Sequence, residues 1–295
     1  MLDFNEIAQV FSSRHISSVS AGDFSLVRKV ATCYQEYFDD VFTVASVFEF
    51  CYSLLCSGYR NEYYYKNAIA KKILIGRHSV KTSTMFTEFR VGNSKADCVI
   101  VNGLSTCYEI KTNYDNLSRL RSQISSYIKL FDKVNVVVSN KNLDSVLESI
   151  PNEVGVLLLT KGGALREIRP ALLIDAQIDV KILIRSLRRE EYVSLVESIF
   201  GEAPNVNNTE IFRECEKRLL TANSERIRTE FKKIIRRTRA LDERFITSLP
   251  ASLLIAGVEF GSSRKARAGF IENMSSILSK ETLCTTRSLK VNSLN

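Results

Sequence analysis

Asp97, Glu109 and Lys111 are the residues of this chain whose types and spacing could do chemistry. They lie in NSKADCVIVNGLSTCYEIKT (93–112), which reads as two short β-strands around a turn, with Asp97 interrupting the first and Glu109 and Lys111 flanking Ile110 in the second. A strand alternates its faces at every residue, so Glu109 and Lys111 point the same way. Val99, Ile100 and Val101 imply a strand buried on both faces, which puts Asp97 inside or at the rim of a core. A charge there is costly unless it pairs or binds a cation. Asp97 and Glu109 on neighbouring strands offer hard oxygens suited to Mg²⁺ or Mn²⁺, an ion that neutralises a phosphate and acidifies a bound water. Lys111 beside it could orient that water or stabilise charge on the phosphate. Such chemistry needs no histidine base, and the chain has only His15 and His78.

The elements that must position these groups follow from periodicity. GYRNEYYYKNAIAKKILIG (58–76) reads as a helix ended by Gly76, with Glu62, Tyr65, Ile69 and Ile73 on one stripe. Residues 83–91 read as a strand, followed by the two strands above. A helix within 114–131, opening at an Asp or Asn cap, carries Leu120, Ile124, Ile128 and Phe131 at helical spacing. KVNVVVS (133–139) and VGVLLLT (154–160) read as buried strands and ALREIRP (164–170) as an edge strand. Three hairpin-like strands and a crossover helix predict an α/β fold, a mixed sheet flanked by helices.

In this order Asp97, then Glu109-x-Lys111 on an adjacent strand, a preceding helix bearing Glu62, and Gln123 and Tyr127 in QISSY resemble the PD-(D/E)XK nuclease superfamily with its QxxxY element. The match covers roughly 59–140, and Ala96 stands before Asp97 where the pattern's name has proline, which many members lack. The resemblance implies a restriction-endonuclease-like core and a Mg²⁺- or Mn²⁺-dependent DNA nuclease. It implies Asp97, Glu109 and the Ile110 carbonyl as metal ligands and Lys111 as the catalytic cation. Glu62 is the expected further carboxylate, because the family places an acid on the helix before the sheet. Glu88 competes for that role and could instead pair with Arg90 or Lys95. Gln123 and Tyr127 are expected at the site or the phosphate backbone, with helix–sheet packing an equal reading for Tyr127. A catalytically silent module of the same fold, binding nucleic acid or a protein, is the alternative. RNA uses the same chemistry, but the chain has no aromatic-rich RNA-stacking motif.

The 295 residues suffice for one large or two ordinary domains. Composition and periodicity divide them into a helical N-terminal segment (1–58), the core (59–172) and a mostly helical C-terminal domain (173–295). Residues 211–295 hold 17 Lys and Arg against 9 Asp and Glu, whereas 1–210 are balanced, so an anionic partner is expected there. On a helix over 226–239, Arg228, Lys232, Arg236 and Arg239 would line one side and contact DNA. A homodimer or protein partner through these helices is the other expectation, and SSRKARAG (262–269) reads as a mobile basic loop. Seven scattered cysteines without a CxxC pair, and no signal-like N-terminus, point to reduced thiols in the cytoplasm. The apolar stretch 41–59 contains Glu49 and several hydroxyls, so it reads as a buried helix capped by Asp39–Asp40 rather than a membrane span.

Overall fold

A computed structural model describes residues 2–260, 263–281 and 283. The chain divides into two units, Met1–Asn67 with Glu243–Asn295, and Ala68–Asp242. These bounds differ from the divisions expected at 58/59 and 172/173, because both flanks of the core pack differently from that reading.

The chain opens with α1 (Phe4–Gln9), α2 (Ser13–Ser20), α3 (Ser25–Cys33), β1 (Val41–Thr43) and α4 (Val44–Gly58), then α5 (Glu62–Ile69). The cap of α4 is not Asp39–Asp40: Thr43 accepts from the Ser46 amide and Ser46 returns a bond to the Thr43 amide, a capping box. Its buried stripe is Val44, Val47, Phe48, Cys51 and Leu55, and no helix among the described residues is long and apolar enough to cross a membrane.

The second unit is built on β2 (Thr84–Val91), β3 (Ser94–Val101), β4 (Ser105–Lys111), β5 (Lys133–Val138), β6 (Gly155–Leu159) and β7 (Leu165–Arg169), hydrogen-bonded in that order. Strands β2, β3 and β4 are antiparallel, β4–β5–β6 parallel, and β7 returns antiparallel at an edge. The expected mixed sheet flanked by helices is present. The β2–β3 turn has only Gly92 and Asn93 between Val91 and Ser94, and Gly92 takes φ 60°, which a two-residue hairpin turn with glycine first requires. α6 (Leu120–Ile128) is the β4-to-β5 crossover and α7 (Leu143–Ser149) lies between β5 and β6. α6 starts later than expected, and Arg119 at its N-cap makes no side-chain bond.

Then follow α8 (Val180–Ser186), α9 (Arg189–Phe200), α10 (Ile211–Leu219) and α11 (Ser224–Thr238). These are no separate domain. Leu183, Ile184, Leu195, Val196, Phe231 and Ile235 are buried in one core with Val99, Cys107, Ile124, Tyr127, Val136 and Val156 of the sheet and α6. Their apolar stripes have no second core to bury against, so they close this one.

α12 (Glu243–Ser248), α13 (Leu254–Glu259), α14 (Arg264–Met274) and β8 (Ile277–Ser279) return to the first unit, where β8 pairs antiparallel with β1, Phe42 opposite Leu278. Asn67 fixes this return by donating to the Ala251 carbonyl at 2.8 Å and accepting from the Ile255 amide at 3.0 Å. The N-terminal helices therefore share a unit with the C-terminal ones instead of forming an extension of their own. Residues 264–269 belong to α14 rather than a loop; 261 and 262 lie outside the described residues.

Candidate active site

Strand alternation sends Cys107, Glu109 and Lys111 of β4 to the face covered by α6. Glu109 is 1% exposed and Lys111 6%. The Lys111 ammonium lies 2.6 Å from Glu109 Oε1 and 3.1 Å from Gln123 Oε1. The Tyr127 hydroxyl lies 2.8 Å from both Glu109 Oε2 and the Lys95 carbonyl, and its single proton serves one at a time. Gln123 and Tyr127, at i and i+4 on α6, thus hold the two β4 charges from one helix face. Tyr127 also packs in the core against Phe131, so it joins helix to sheet as well as bonding Glu109.

Asp97 is half-buried and sits just before the first paired step of β3 and β4, Cys98 opposite Tyr108. Its Oδ2 accepts from the Ile110 amide at 2.6 Å. Residues of an extended strand project N–H and C=O to the same edge, and neighbours alternate. The Lys111 carbonyl is taken by the Ser139 amide on the β5 side, so the Ile110 carbonyl projects to the Asp97 side. The loop after β4 is pinned as well: the Thr112 amide donates to Asp115 at 2.7 Å and Asn142 to the Thr112 carbonyl at 2.6 Å.

Glu88 is brought to Asp97 by a feature the sequence reading missed. The pairs Thr87–Cys98 and Phe89–Ala96 leave Glu88 opposite Asp97, at a step without ladder pairing. Phe86, Val99 and Val101 pack with the α6-side core before this step, and Phe89, Val91 and Ala96 do so after it. Facing residues three apart instead of two mean that both strands slip by one at Glu88 and Asp97. Glu88 takes φ 55°, the one positive value outside glycine among the described residues. Such a paired bulge re-aims side chains away from the sheet's regular faces. The two carboxylates come within 4.8 Å of each other, and Glu88 also pairs with Lys95 at 2.9 Å, as one expectation had it. The sequence carries a weak signal for it: Asp97 interrupts the apolar run of KADCVIV, and Phe86 stands out of step with Phe89 and Val91 in MFTEFRV. Glu62 belongs to the first unit, opens α5 and pairs with Lys66 at 2.7 Å.

Burial drives the Glu109 carboxyl above the ordinary carboxylate range, against the opposing pull of the Lys111 ammonium and of hydrogen bonds from Lys111, Tyr127 and Gln123. Burial and then the Glu109 charge raise the Tyr127 phenol, so it stays a donor at neutral pH. As a donor set for a hard divalent ion, Asp97, Glu88 and the Ile110 carbonyl fit. Glu109 fits only by turning an oxygen from Lys111 or Tyr127.

Three of the four cations expected to meet DNA are instead bonded inside the second unit. Arg228 and Lys232 reach Asp132 at 3.3 and 3.1 Å, and Arg239 reaches Glu191 at 2.7 Å. Asp132 and Glu191 are buried, and an uncompensated carboxylate there would be costly, so the helix turns these cations inward. Only Arg236 of the four is exposed.

Among known proteins, the chain is similar to protein cII of Enterobacteria phage P4, with 34% identity over 77 residues. That stretch is 25% of this chain and 29% of the phage protein, so the match spans less than a third of its curated relative. No solved structure matches. The family model described as bacteriophage P4 protein cII matches residues 56–253, more than half of the chain and inclusive of every residue of the candidate site. The chain belongs to the bacteriophage P4 protein cII family.

Proposed function

We propose that the chain is a metal-dependent nuclease that hydrolyses DNA phosphodiester bonds on a restriction-endonuclease-like core of the PD-(D/E)XK type. The observation that carries this reading is the bonded constellation on β3, β4 and α6: Asp97 on the Ile110 amide at 2.6 Å, Glu109 with Lys111 at 2.6 Å and Tyr127 at 2.8 Å, and Lys111 with Gln123 at 3.1 Å. Asp97, Glu88, the Ile110 carbonyl and a reoriented Glu109 would hold Mg²⁺ or Mn²⁺. Such an ion, when bound, supplies phosphate neutralisation and a more acidic water. Lys111, fixed by Gln123, presents its ammonium to the scissile phosphate and stabilises the charge that grows there. Tyr127 keeps Glu109 oriented. The test is cleavage of supercoiled, linear and single-stranded DNA with Mg²⁺ or Mn²⁺. Cleavage should vanish in EDTA and in Asp97→Asn. Undiminished cutting in chelator, or none by the folded protein with either metal, overturns the reading.

One observation favours a silent module of the same fold. Glu109 and Lys111 already neutralise each other at 2.6 Å, deep enough to be a packing device. In that case neither metal binds and no substrate is cut.

A further inference from the structure

The inward turn of Arg228, Lys232 and Arg239 determines which side of α11 is left for solvent. Ile227, Phe231, Ile234 and Ile235 are buried, and the three inward cations flank that stripe on bonds to Asp132, Glu191 and the carbonyls of Leu130 and Ala176. These bonds set which side of the helix faces inward. Besides Glu225 in the first turn, the exposed residues are Arg226, Thr229, Lys233, Arg236 and Arg237, at i, i+3, i+7, i+10 and i+11, one stripe. Arg236 and Arg237 make no ion pair among the described residues, and Lys233, 65% exposed, meets Glu230 at 2.7 Å. The stripe runs about 16 Å at 1.5 Å per residue. It carries four cations, with one exposed acid, Glu225, at its beginning.

We infer that this outward stripe of α11, and not the inward one, is a docking surface for the sugar–phosphate backbone of duplex DNA. The inference rests on the reading of DNA as the substrate. Charge complementarity selects the partner: duplex DNA presents roughly one negative charge per 1.7 Å, so the stripe spans enough phosphates to engage all four cations. Three arginines and a hydroxyl at Thr229 suit phosphate oxygens, with no apolar surface between them for a protein partner.

The experiment measures binding of a short labelled duplex against salt concentration in EDTA, where no cleavage can occur. Replacing Arg226, Lys233, Arg236 and Arg237 with Gln should flatten the log–log slope by about 0.9 for each phosphate no longer neutralised, roughly three to four in all. The milder Arg236→Gln/Arg237→Gln variant, at exposed positions of the last turn, should flatten it by about 1.8 and covers a folding failure of the first. An unchanged slope in that folded double variant, or no duplex binding by the native chain, overturns the inference. Cleavage with Mg²⁺ is scored separately: a slope effect without cutting sinks the nuclease reading alone, and cutting without a slope effect sinks the docking surface alone.

Discussion

Glu88 and Asp97 face each other across the β2–β3 hairpin at the step where both strands lose their alternation, and their carboxylates come within 4.8 Å. Two like charges so close repel, with Lys95 at 2.9 Å from Glu88 and the Ile110 amide on Asp97 offsetting part of it, and a divalent ion between them would add stability. Mg²⁺, Mn²⁺ or Ca²⁺ should therefore raise the urea midpoint, with a gain in unfolding free energy of about 2.7 kcal/mol at a hundred times the dissociation constant. Asp97→Asn should abolish the gain. A midpoint indifferent to all three ions argues against any metal at this step.

The Lys111–Glu109 pair sets a second expectation. Removing one member of a buried pair leaves the other uncompensated, at a cost of about 3–5 kcal/mol. Lys111→Met should lose stability on that scale, whereas Glu109→Gln/Lys111→Met should recover much of it. Urea melts of the single and double variants give the coupling directly. With Glu109→Gln as the other single variant, a double-variant loss equal to the sum of the two single losses would show that the pair is not coupled in solution.

The same pair predicts a pH dependence. Burial holds the folded Glu109 pKa above its unfolded value, so between the two the native state binds more protons. Stability then falls as pH rises through that window and levels off above the folded pKa. The double variant lacks both charges, so in EDTA its stability relative to the native chain should grow with pH from about 4 upward and then plateau. A difference independent of pH would mean that Glu109 titrates as if exposed.

The site was legible where side-chain chemistry and strand period speak together. Glu109, Lys111, Gln123 and Tyr127 could be placed because a two-residue period on β4 and a four-residue spacing on α6 each fix a face, and Asp97 because a lone acid interrupts an apolar run. The cations of α11 could not. Arg228 and Arg236 are both one step from apolar residues, and only the buried Asp132 and Glu191, distant in sequence, decide which of them turns inward. Unit bounds failed for a similar reason, since the partners of β1 and of Asn67 lie some two hundred residues along the chain.

Asp132 tests that long-range decision. It is 4% exposed and accepts from the Ser105 amide and hydroxyl at 2.8 and 3.0 Å as well as from Arg228 and Lys232. Asp132→Ala should cost about 3–5 kcal/mol, because two largely buried cations lose their counter-charge together. Calorimetry of the variant, with its DNA salt slope measured beside it, separates the roles. A stable variant with an altered slope would return Arg228 and Lys232 to the DNA surface.

The last expectation concerns the backbone of Glu88. At φ 55° a side chain crowds the following carbonyl, at roughly 1–2 kcal/mol, and a β-branched residue fares worse. Glycine adopts this conformation freely but loses about as much through its larger unfolded entropy, so Glu88→Gly should be near neutral. Glu88→Asn, a residue that tolerates the left-handed region, should be neutral or slightly stabilising. Glu88→Val should lose more than about 1 kcal/mol, although valine is the better strand former at any ordinary position. Urea melts in EDTA rank the three, so that metal affinity does not enter. If valine were tolerated as well as glycine, the slip would be absent in solution, β2 and β3 would pair without interruption, and Glu88 would turn to a regular face of the sheet, away from the position it holds beside Asp97.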